Sequence, residues 1–427
     1  MAPNIIYIHT HDTGRFVSPY GYAVPTPHIA GLARQGVLFR RAFSAAPTCS
    51  PSRAALLTGN WPHENGMIGL VHRGARLSDP SQHLANVLNA AGYESALVGF
   101  QHVAPEDELS ELGYGEVVFP GSFHGYDVGP AAADWLRSRR SEKPFFLSVG
   151  FSETHRVYPE ATEADDPRYI AVPAGYPDTP EIREDTARLH ASLRIADNAV
   201  GDVLQALDET GLSADTLVIF TTDHGLPWPN AKCTVGDAGT GVALIMRGPA
   251  GFSGGKVVDA MVSQIDIFPT LTELAEIAAP EWLRGTSLRP LVAGESESIR
   301  DELFAEVTCH AAAEPMRSIR RGAWLFMRRF DGAEFRILPN VDDGDAKTLM
   351  RSHGWHKQAP DREALYNSVL DPHEQVNLVN DPDYSDIVAD LRDRLEKWME
   401  ETNDPLLDPH WKPPANFRLE DRSSGQS

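Results

Sequence analysis

Cys49-Ser50-Pro51-Ser52-Arg53, continued by Ala54-Ala55-Leu56-Leu57-Thr58-Gly59, is the stretch from which the rest of the chain is read. Ser50 suits a helix N-cap, Pro51 the first helical position and Gly59 a C-terminal stop, so the spacing predicts a loop opening into a short helix. Cys49 then stands at the mouth of that helix. Unpaired backbone N–H groups and the positive end of the helix dipole favour an anion there. Arg53, a turn further on, adds a fixed cation whose fork matches a tetrahedral oxyanion. Cysteine, helix start and arginine together point to nucleophilic attack on a sulfate-like or phosphate-like group. The plainer alternative is a helix-start cysteine without chemistry, or a redox-sensitive thiol.

Around this stretch, short apolar runs alternate with helical patterns, as a βαβ architecture requires. Ile5–Ile8, Ser95–Gly99, Phe145–Val149 and Thr216–Phe220 read as buried strands. Helices are expected to end near Gly92 and to cover 131–139 and 186–209. Near-continuous apolar strands belong in a parallel sheet covered on both faces. Their ends carry the chemistry: His9, His11 and Asp12 follow the first, Gln101 and His102 the second, Glu153 and His155 the third, Asp223 and His224 the fourth. Ligands of open α/β sheets bind at the carboxyl ends of strands, so four such ends describe a metal-and-anion site.

The texture changes after residue 295. Ala323–Met327 and an extended stretch near Phe335–Leu338 suggest a small antiparallel sheet, Glu363–Asn367 a further strand, and Ile387–Met399 a helix. The expected units are a catalytic α/β domain over 1–295, an α+β subdomain over 296–408, and an arm or fraying tail over 409–427.

The chain has 427 residues, 38 basic and 60 acidic, for a formal charge of −22. That balance argues against nucleic acid or an anionic membrane as partner and favours a small anionic substrate held by a few local cations. No run is long enough to span a bilayer, and Met1-Ala2-Pro3-Asn4 leads straight into a strand without a leader pattern, so a cytoplasmic protein is expected. Three scattered cysteines, Cys49, Cys233 and Cys309, make no disulfide scaffold.

Cys-x-Pro-Ser-Arg followed by Ala-x-Leu-Leu-Thr-Gly resembles the signature of the type I sulfatases, within the alkaline phosphatase superfamily. Asn4-Ile5-Ile6 through Gly14, Thr221-Thr222-Asp223-His224-Gly225, Asp266 to Leu271, and Leu365-Tyr366 to Leu378 resemble later landmarks of that family. Pro62 to Met67, His102 to Glu106, Glu306-Val307-Thr308, Pro315 to Ser318, and Lys397-Trp398 to Asp404-Pro405 are closest to its sulfamidase (heparan N-sulfatase) branch. The resemblance implies an alkaline-phosphatase-like, mostly parallel sheet flanked by helices, with a smaller C-terminal α+β domain carrying an antiparallel sheet.

It also implies chemistry. Cys49 would be oxidised to formylglycine by a maturing enzyme, and its hydrate would attack sulfur beside a divalent metal. Arg53 and Lys232 would neutralise charge, His102 would act as base, and His155 would contact sulfate or protonate the leaving atom. Metal ligands would be His11, Asp12, Asp223, His224 and the modified Cys49. Glu306, His310 and Arg317 would face a sugar, with Ala311-Ala312-Ala313 reading as an insertion. Glu64 and His72 could rim the pocket. His9 is expected beside the ligands rather than among them, and Cys233 in packing.

Two departures stand out. The family places adjacent acids where this chain has His11-Asp12, and often Asn where it has His224. The family implies calcium, whereas two imidazoles shift preference toward zinc or manganese. The family also has a lysine after the strand glycine, where this chain has Gly99-Phe100-Gln101-His102, so one cation is missing. The expected function is hydrolysis of a sulfate ester or sulfamate on a small sugar. The alternatives are a phosphonate monoester or phosphodiester hydrolase of the same superfamily, and a non-catalytic binding protein on that scaffold. A homodimer is compatible with the acidic surface.

Overall fold

The computed structural model describes residues 2–425. Eight strands form the larger sheet: β1 (Asn4–His9), β2 (Val37–Phe43), β3 (Glu94–Gly99), β4 (Glu116–Val118), β5 (Phe145–Gly150), β6 (Thr216–Thr221), β7 (Leu244–Arg247) and β8 (Lys256–Ser263). Their order is β4-β3-β5-β1-β6-β7-β2-β8. β1 runs parallel to both neighbours, β5 and β6, and β7 alone lies antiparallel to the strands it joins. The mostly parallel sheet read from the sequence is therefore present.

Alternation along β1 divides the core. Ile5 and Tyr7 face the side that holds Leu56 and Leu57 of the Cys49 helix, while Ile6 and Ile8 face the helices Gly125–Ser138 and Pro180–Glu209. Both faces are covered, which is why these strands carry apolar residues without a polar side.

The helix Cys49–Thr58 begins two residues earlier than its composition suggested. Thr48, with extended backbone, is the N-cap, and every residue from Cys49 to Thr58 is buried. Ser50 is thus not the cap but the second helical residue, its hydroxyl accepting the Val71 N–H at 3.2 Å. The cap moves because Ser44, Ser52 and Asp223 pull the helix start inward: Ser52 Oγ donates to the Asp223 carbonyl at 2.5 Å. Gly59 ends the helix at φ 66°, as expected of a left-handed stop.

The smaller sheet holds β9 (Glu302–Cys309), β10 (Ala313–Arg321), β11 (Trp324–Arg329) and β12 (Glu363–Asn367), all antiparallel in the order β12-β11-β10-β9. Its apolar face, Phe304, Ile319, Phe326 and Leu365, packs on Val388, Leu391, Leu395 and Trp398 of the helix Ser385–Glu401. The stretch near Phe335–Leu338 is not a strand; it enters a 3-10 turn at Leu338–Asn340, whose Asn340 side chain accepts the Ala312 N–H at 2.8 Å. Ala311 and Ala312 form the tight connection from β9 to β10, with His310 N–H donating to the Ala312 carbonyl.

β9 and β10 escaped the sequence reading because charged residues lie inside them. Arg317 and Glu306 are 0 % and 1 % exposed, and Arg317 pairs with Asp404 at 2.5 Å and with Glu306 at 3.2 Å. Glu306 in turn accepts from the His63 N–H and contacts His63 Nδ1 at 2.9 Å. His63 belongs to the segment that follows the Cys49 helix, so this buried chain of charges ties the small sheet to the large one. Glu306 and Arg317, expected to face a sugar, are buried in these pairings. From Pro409 the tail packs as an arm: Arg418 N–H donates to the Arg73 carbonyl and Glu420 N–H to the Ala311 carbonyl. Residues 426 and 427 of that tail lie outside the described residues. No helix among the described residues is long and apolar enough to cross a membrane.

Two substitutions test this packing. A Cβ on Gly59 would lie 2.4 Å from Leu283 Cδ2 and 3.0 Å from Phe268 Cβ. Gly59→Ala is therefore expected to cost about 1–3 kcal/mol, read as a lower midpoint in urea with an unchanged slope. Arg317→Ala strands two buried carboxylates and is expected to cost about 3–5 kcal/mol. A variant with wild-type thermal stability but a raised KM would instead return Arg317 to the substrate.

Candidate active site

The four strand ends named from the sequence do converge. Asp12 follows β1 in a left-handed conformation (φ 54°), which an aspartate tolerates better than most residues and which turns its carboxylate inward. Asp223, after β6, accepts the backbone N–H groups of Asp12 and His224 on Oδ1, at 2.8 and 2.9 Å. Its Oδ2 is left to face Arg53 at 2.9 Å and His11 Nδ1 at 3.2 Å. His11 Nδ1 also lies 2.9 Å from Asp12 Oδ1, and His224 Nε2 lies 3.0 Å from that same oxygen. Cys49 Sγ is 3.5 Å from His224 Nε2.

One ligand atom from each of His11, Asp12, Cys49, Asp223 and His224 lies within 4.8 Å of the others, and all five residues are buried. The donor set fits a divalent cation. His224 Nδ1 is engaged by the Gly225 carbonyl at 3.0 Å, which leaves Nε2 as the ligand atom, the arrangement by which proteins fix a metal-binding tautomer. Two carboxylates and two imidazoles form a softer donor set than oxygen alone, less suited to calcium.

Electrostatics here are strong because the groups are dry. Burial opposes the Asp12 carboxylate, but Lys232, His11 and His224 hold its proton affinity well below the usual range. Burial likewise opposes charge on His11, yet Asp223, Cys49 and Asp12 push it up to about 9. The Cys49 thiol resists ionisation through burial, and the Lys232 and His11 charges outweigh that and pull it well below a free thiol.

Arg53 is anchored on three sides: by Asp223, by the Thr10 carbonyl at 2.9 Å, and by His9 Nδ1. Burial, followed by Arg53 itself, keeps His9 neutral, so that it can accept this bond. His9 thus sits beside the ligands, as its place on the strand suggested. Phe100, where a lysine was expected, lays its ring 5.2 Å from the Arg53 guanidinium and 5.2 Å from the His11 ring.

The mouth is lined with imidazoles. His102 Nε2 is 3.1 Å from His72 Nδ1, the two ring planes parallel, and His102 lies near enough to Cys49 to interact with it electrostatically. Burial lowers the His102 proton affinity, as it does that of His310, which likewise interacts electrostatically with Cys49. Nδ1 of both rings is buried without a partner, as expected of atoms that face a ligand position. His155 lies at the rim with its side chain 39 % exposed, Nδ1 against the Arg156 carbonyl at 2.6 Å.

Lys232 Nζ reaches Asp12 Oδ2 and Asp342 Oδ2, both at 2.9 Å. Asp342 was missed by the sequence reading. It stands in Asp342-Asp343-Gly344-Asp345, a run that looks like any solvated turn, and no residue spacing marks it. The other named residues lie elsewhere. Glu153 accepts from Gly125 N–H and faces His124, Gln101 accepts the Val103 and Ala104 N–H groups, and Glu64 pairs with Arg284. Cys233 is 2 % exposed, and burial pushes its thiol up, which suits packing.

The sulfatase family model matches residues 3–277, and the model of the N-sulphoglucosamine sulphohydrolase C-terminal region matches residues 231–335. Human N-sulphoglucosamine sulphohydrolase is 31 % identical, over 90 % of this chain and 87 % of its own. An ulvan-active sulfatase of Formosa agariphila is 29 % identical, over 95 % of this chain and 81 % of its own. Among solved structures, BT4656 in complex with its substrate D-glucosamine-2-N,6-O-disulfate superposes with a TM-score of 0.76 at 18 % identity, covering 97 % of this chain and 100 % of that one. The family match spans more than half of the chain and encloses every strand of the large sheet together with the Cys49 helix: the chain belongs to the sulfatase family.

Proposed function

We propose that this sulfatase hydrolyses a sulfate ester or sulfamate on a small, N-sulfoglucosamine-like sugar, through a formylglycine formed from Cys49 by a maturing enzyme. The observation that supports this most is the gathering of His11, Asp12, Cys49, Asp223 and His224 within 4.8 Å, under a mouth of further imidazoles. Bound there, a divalent metal supplies a Lewis acid for a sulfate oxygen, and formylglycine an oxygen nucleophile in place of sulfur. The two nitrogen donors favour zinc or manganese over calcium.

The chain's own residues divide the remaining work. Arg53, held by Asp223, Thr10 and His9, presents a preset positive charge to the transferring group, and Lys232 presents a second. Neither has to reorganise as charge develops. His155 keeps Nδ1 on the Arg156 carbonyl, so its Nε2 is the atom that donates a proton to the leaving oxygen or nitrogen. A sulfamate needs that proton most, because an amide anion is a poor leaving group. His102, kept neutral by burial, accepts a proton at the nucleophile. His310, whose buried Nδ1 has no hydrogen-bond partner, meets the sugar, with Glu306 and Arg317 behind it.

A second reading, hydrolysis of a phosphonate monoester or phosphodiester, is favoured by one feature. Phe100 covers Arg53 where the family pattern has a lysine, which leaves less positive charge for a sulfate.

Mass spectrometry of the Cys49 peptide, from protein made with the maturing enzyme, is expected to show an aldehyde in place of the thiol. An unmodified thiol would sink the formylglycine reading. His155→Ala is expected to lower kcat on a sulfamate by about 10²–10⁴-fold and to affect an aryl sulfate with a good leaving group far less. Equal losses on both substrates would remove His155 from proton donation. Chelation is expected to abolish turnover, with zinc or manganese restoring it better than calcium. Faster turnover of a phosphonate ester than of either sulfated substrate would favour the second reading.

A further inference from the structure

His72 and His102 meet edge to edge. His72 Nδ1 and His102 Nε2 are 3.1 Å apart, the ring planes are parallel, and the ring centroids are 5.3 Å apart. That centroid distance is close to the nitrogen separation plus the two ring radii, so both nitrogens lie near the line joining the rings. This is the geometry of an N–H···N hydrogen bond. Both rings are held neutral: burial lowers the proton affinity of His102, and burial, followed by His102 and Arg73, lowers that of His72 to about 4. One proton therefore lies between them, and its owner decides what His102 can do. With the proton on His102 Nε2, the buried and unpartnered His102 Nδ1 carries a lone pair. With it on His72, His102 Nδ1 carries a hydrogen and cannot act as a base.

His72 stands in a three-residue turn, Val71–Arg73, that is pinned from two sides. On one side the Val71 N–H donates to the Ser50 hydroxyl, on the helix that starts at Cys49. On the other side lies the C-terminal arm. The Arg418 guanidinium donates to the His72 carbonyl, and the Arg418 N–H donates to the Arg73 carbonyl at 2.8 Å. The Arg73 guanidinium returns a bond to the Arg418 carbonyl at 2.9 Å. Asn416 Nδ2 donates to the Gly74 carbonyl at 3.1 Å, where the backbones come so close that a Cβ on Gly74 would lie 2.6 Å from the Asn416 carbonyl oxygen. Phe417 anchors this stretch by packing against the core on the Tyr7 face of the large sheet.

We propose that His72 is a positioning residue for His102, accepting its Nε2–H so that Nδ1 keeps the lone pair of a base, and that Arg418 of the C-terminal arm holds His72 in that place. This rests on the role of His102 given above. The arm is then part of the working site without touching a substrate. It fixes the turn, the turn fixes the ring, and the ring fixes the tautomer, as a carboxylate does for the histidine of a serine hydrolase.

Full-length protein carrying ¹⁵N-labelled histidine tests the tautomer without any substrate. Wild-type His102 is expected to be protonated on Nε2 and bare on Nδ1, its signals assigned by their loss in His102→Ala. His72→Phe keeps a flat ring but offers no acceptor, and should shift those signals toward a mixture of tautomers. His72→Asn, whose Oδ1 can stand where Nδ1 was, should leave them in place. In turnover of N-sulfoglucosamine, His72→Phe is expected to lower kcat by about 10–100-fold at an unchanged KM, and His72→Asn to restore it. Arg418→Ala should lower kcat in the wild type but add nothing to His72→Phe, since it acts through that residue. Arg418→Lys, still able to donate to the His72 carbonyl, should recover the loss. Wild-type His102 protonated on Nδ1 overturns the proposal. So do equal losses in His72→Phe and His72→Asn, or an Arg418→Ala loss that multiplies with that of His72→Phe. The expected tautomers in a protein that turns over no sulfated substrate would uphold the positioning and sink the proposed function instead.

Discussion

The carboxylates of Asp12 and Asp223 have side chains with no exposure, and four cationic or protonatable groups, Arg53, Lys232, His11 and His224, close around them. Two bare charges at the centre of a protein this size would not survive folding without that closure, since each costs several kcal/mol to desolvate. The compensation fixes geometry well beyond the site. Arg53 must lie one turn into the helix that starts at Cys49, and that helix must be buried along its whole length. Lys232 must be reached by Asp342, which brings part of the C-terminal region against the large sheet.

Against that constraint the departures at Phe100, His11 and His224 become one pattern. An imidazole in place of a carboxylate, as at His11, removes negative charge from the candidate metal position, while His224 in place of an amide leaves the charge unchanged. Placing Phe100 over Arg53, at 5.2 Å, removes a positive group from its rim. The two changes move the charge balance in opposite directions, so the site remains close to neutral while its donors become softer. Beside Cys49, the Nδ1 atoms of His102 and His310 have no hydrogen-bond partner and are the polar atoms best placed to meet a substrate.

The same logic governs the link between the two sheets. Arg317, Glu306, Asp404 and His63 form a second buried set of charges, paired with one another as the first set is. Glu306 and Arg317 were read from the sequence as sugar contacts because their surroundings resemble a branch of the family that presents such residues there. Their burial shows the other use of such groups: an unpaired partner is so costly that the pairing imposes one relative placement of the two sheets.

Much was legible in the order of residues alone. Apolar runs ending in His, Asp or Glu announced a sheet with a metal-and-anion edge, because strand period and strand polarity are local properties of the chain. The helix after Cys49 and its stop at Gly59 were legible for the same reason, to within two residues at the cap. Tertiary structure decided the rest. The extended run from Phe335 to Leu338 finds no strand to pair with and becomes the approach to a turn, while β9 and β10 hid behind their buried charges. Asp342 could not be found because nothing near it in the chain differs from a solvated loop; only its contact with Lys232, 110 residues away, gives it meaning. Which charge meets which is a long-range property, set by the need to leave no buried ion unpaired, and that need is met only in the folded molecule.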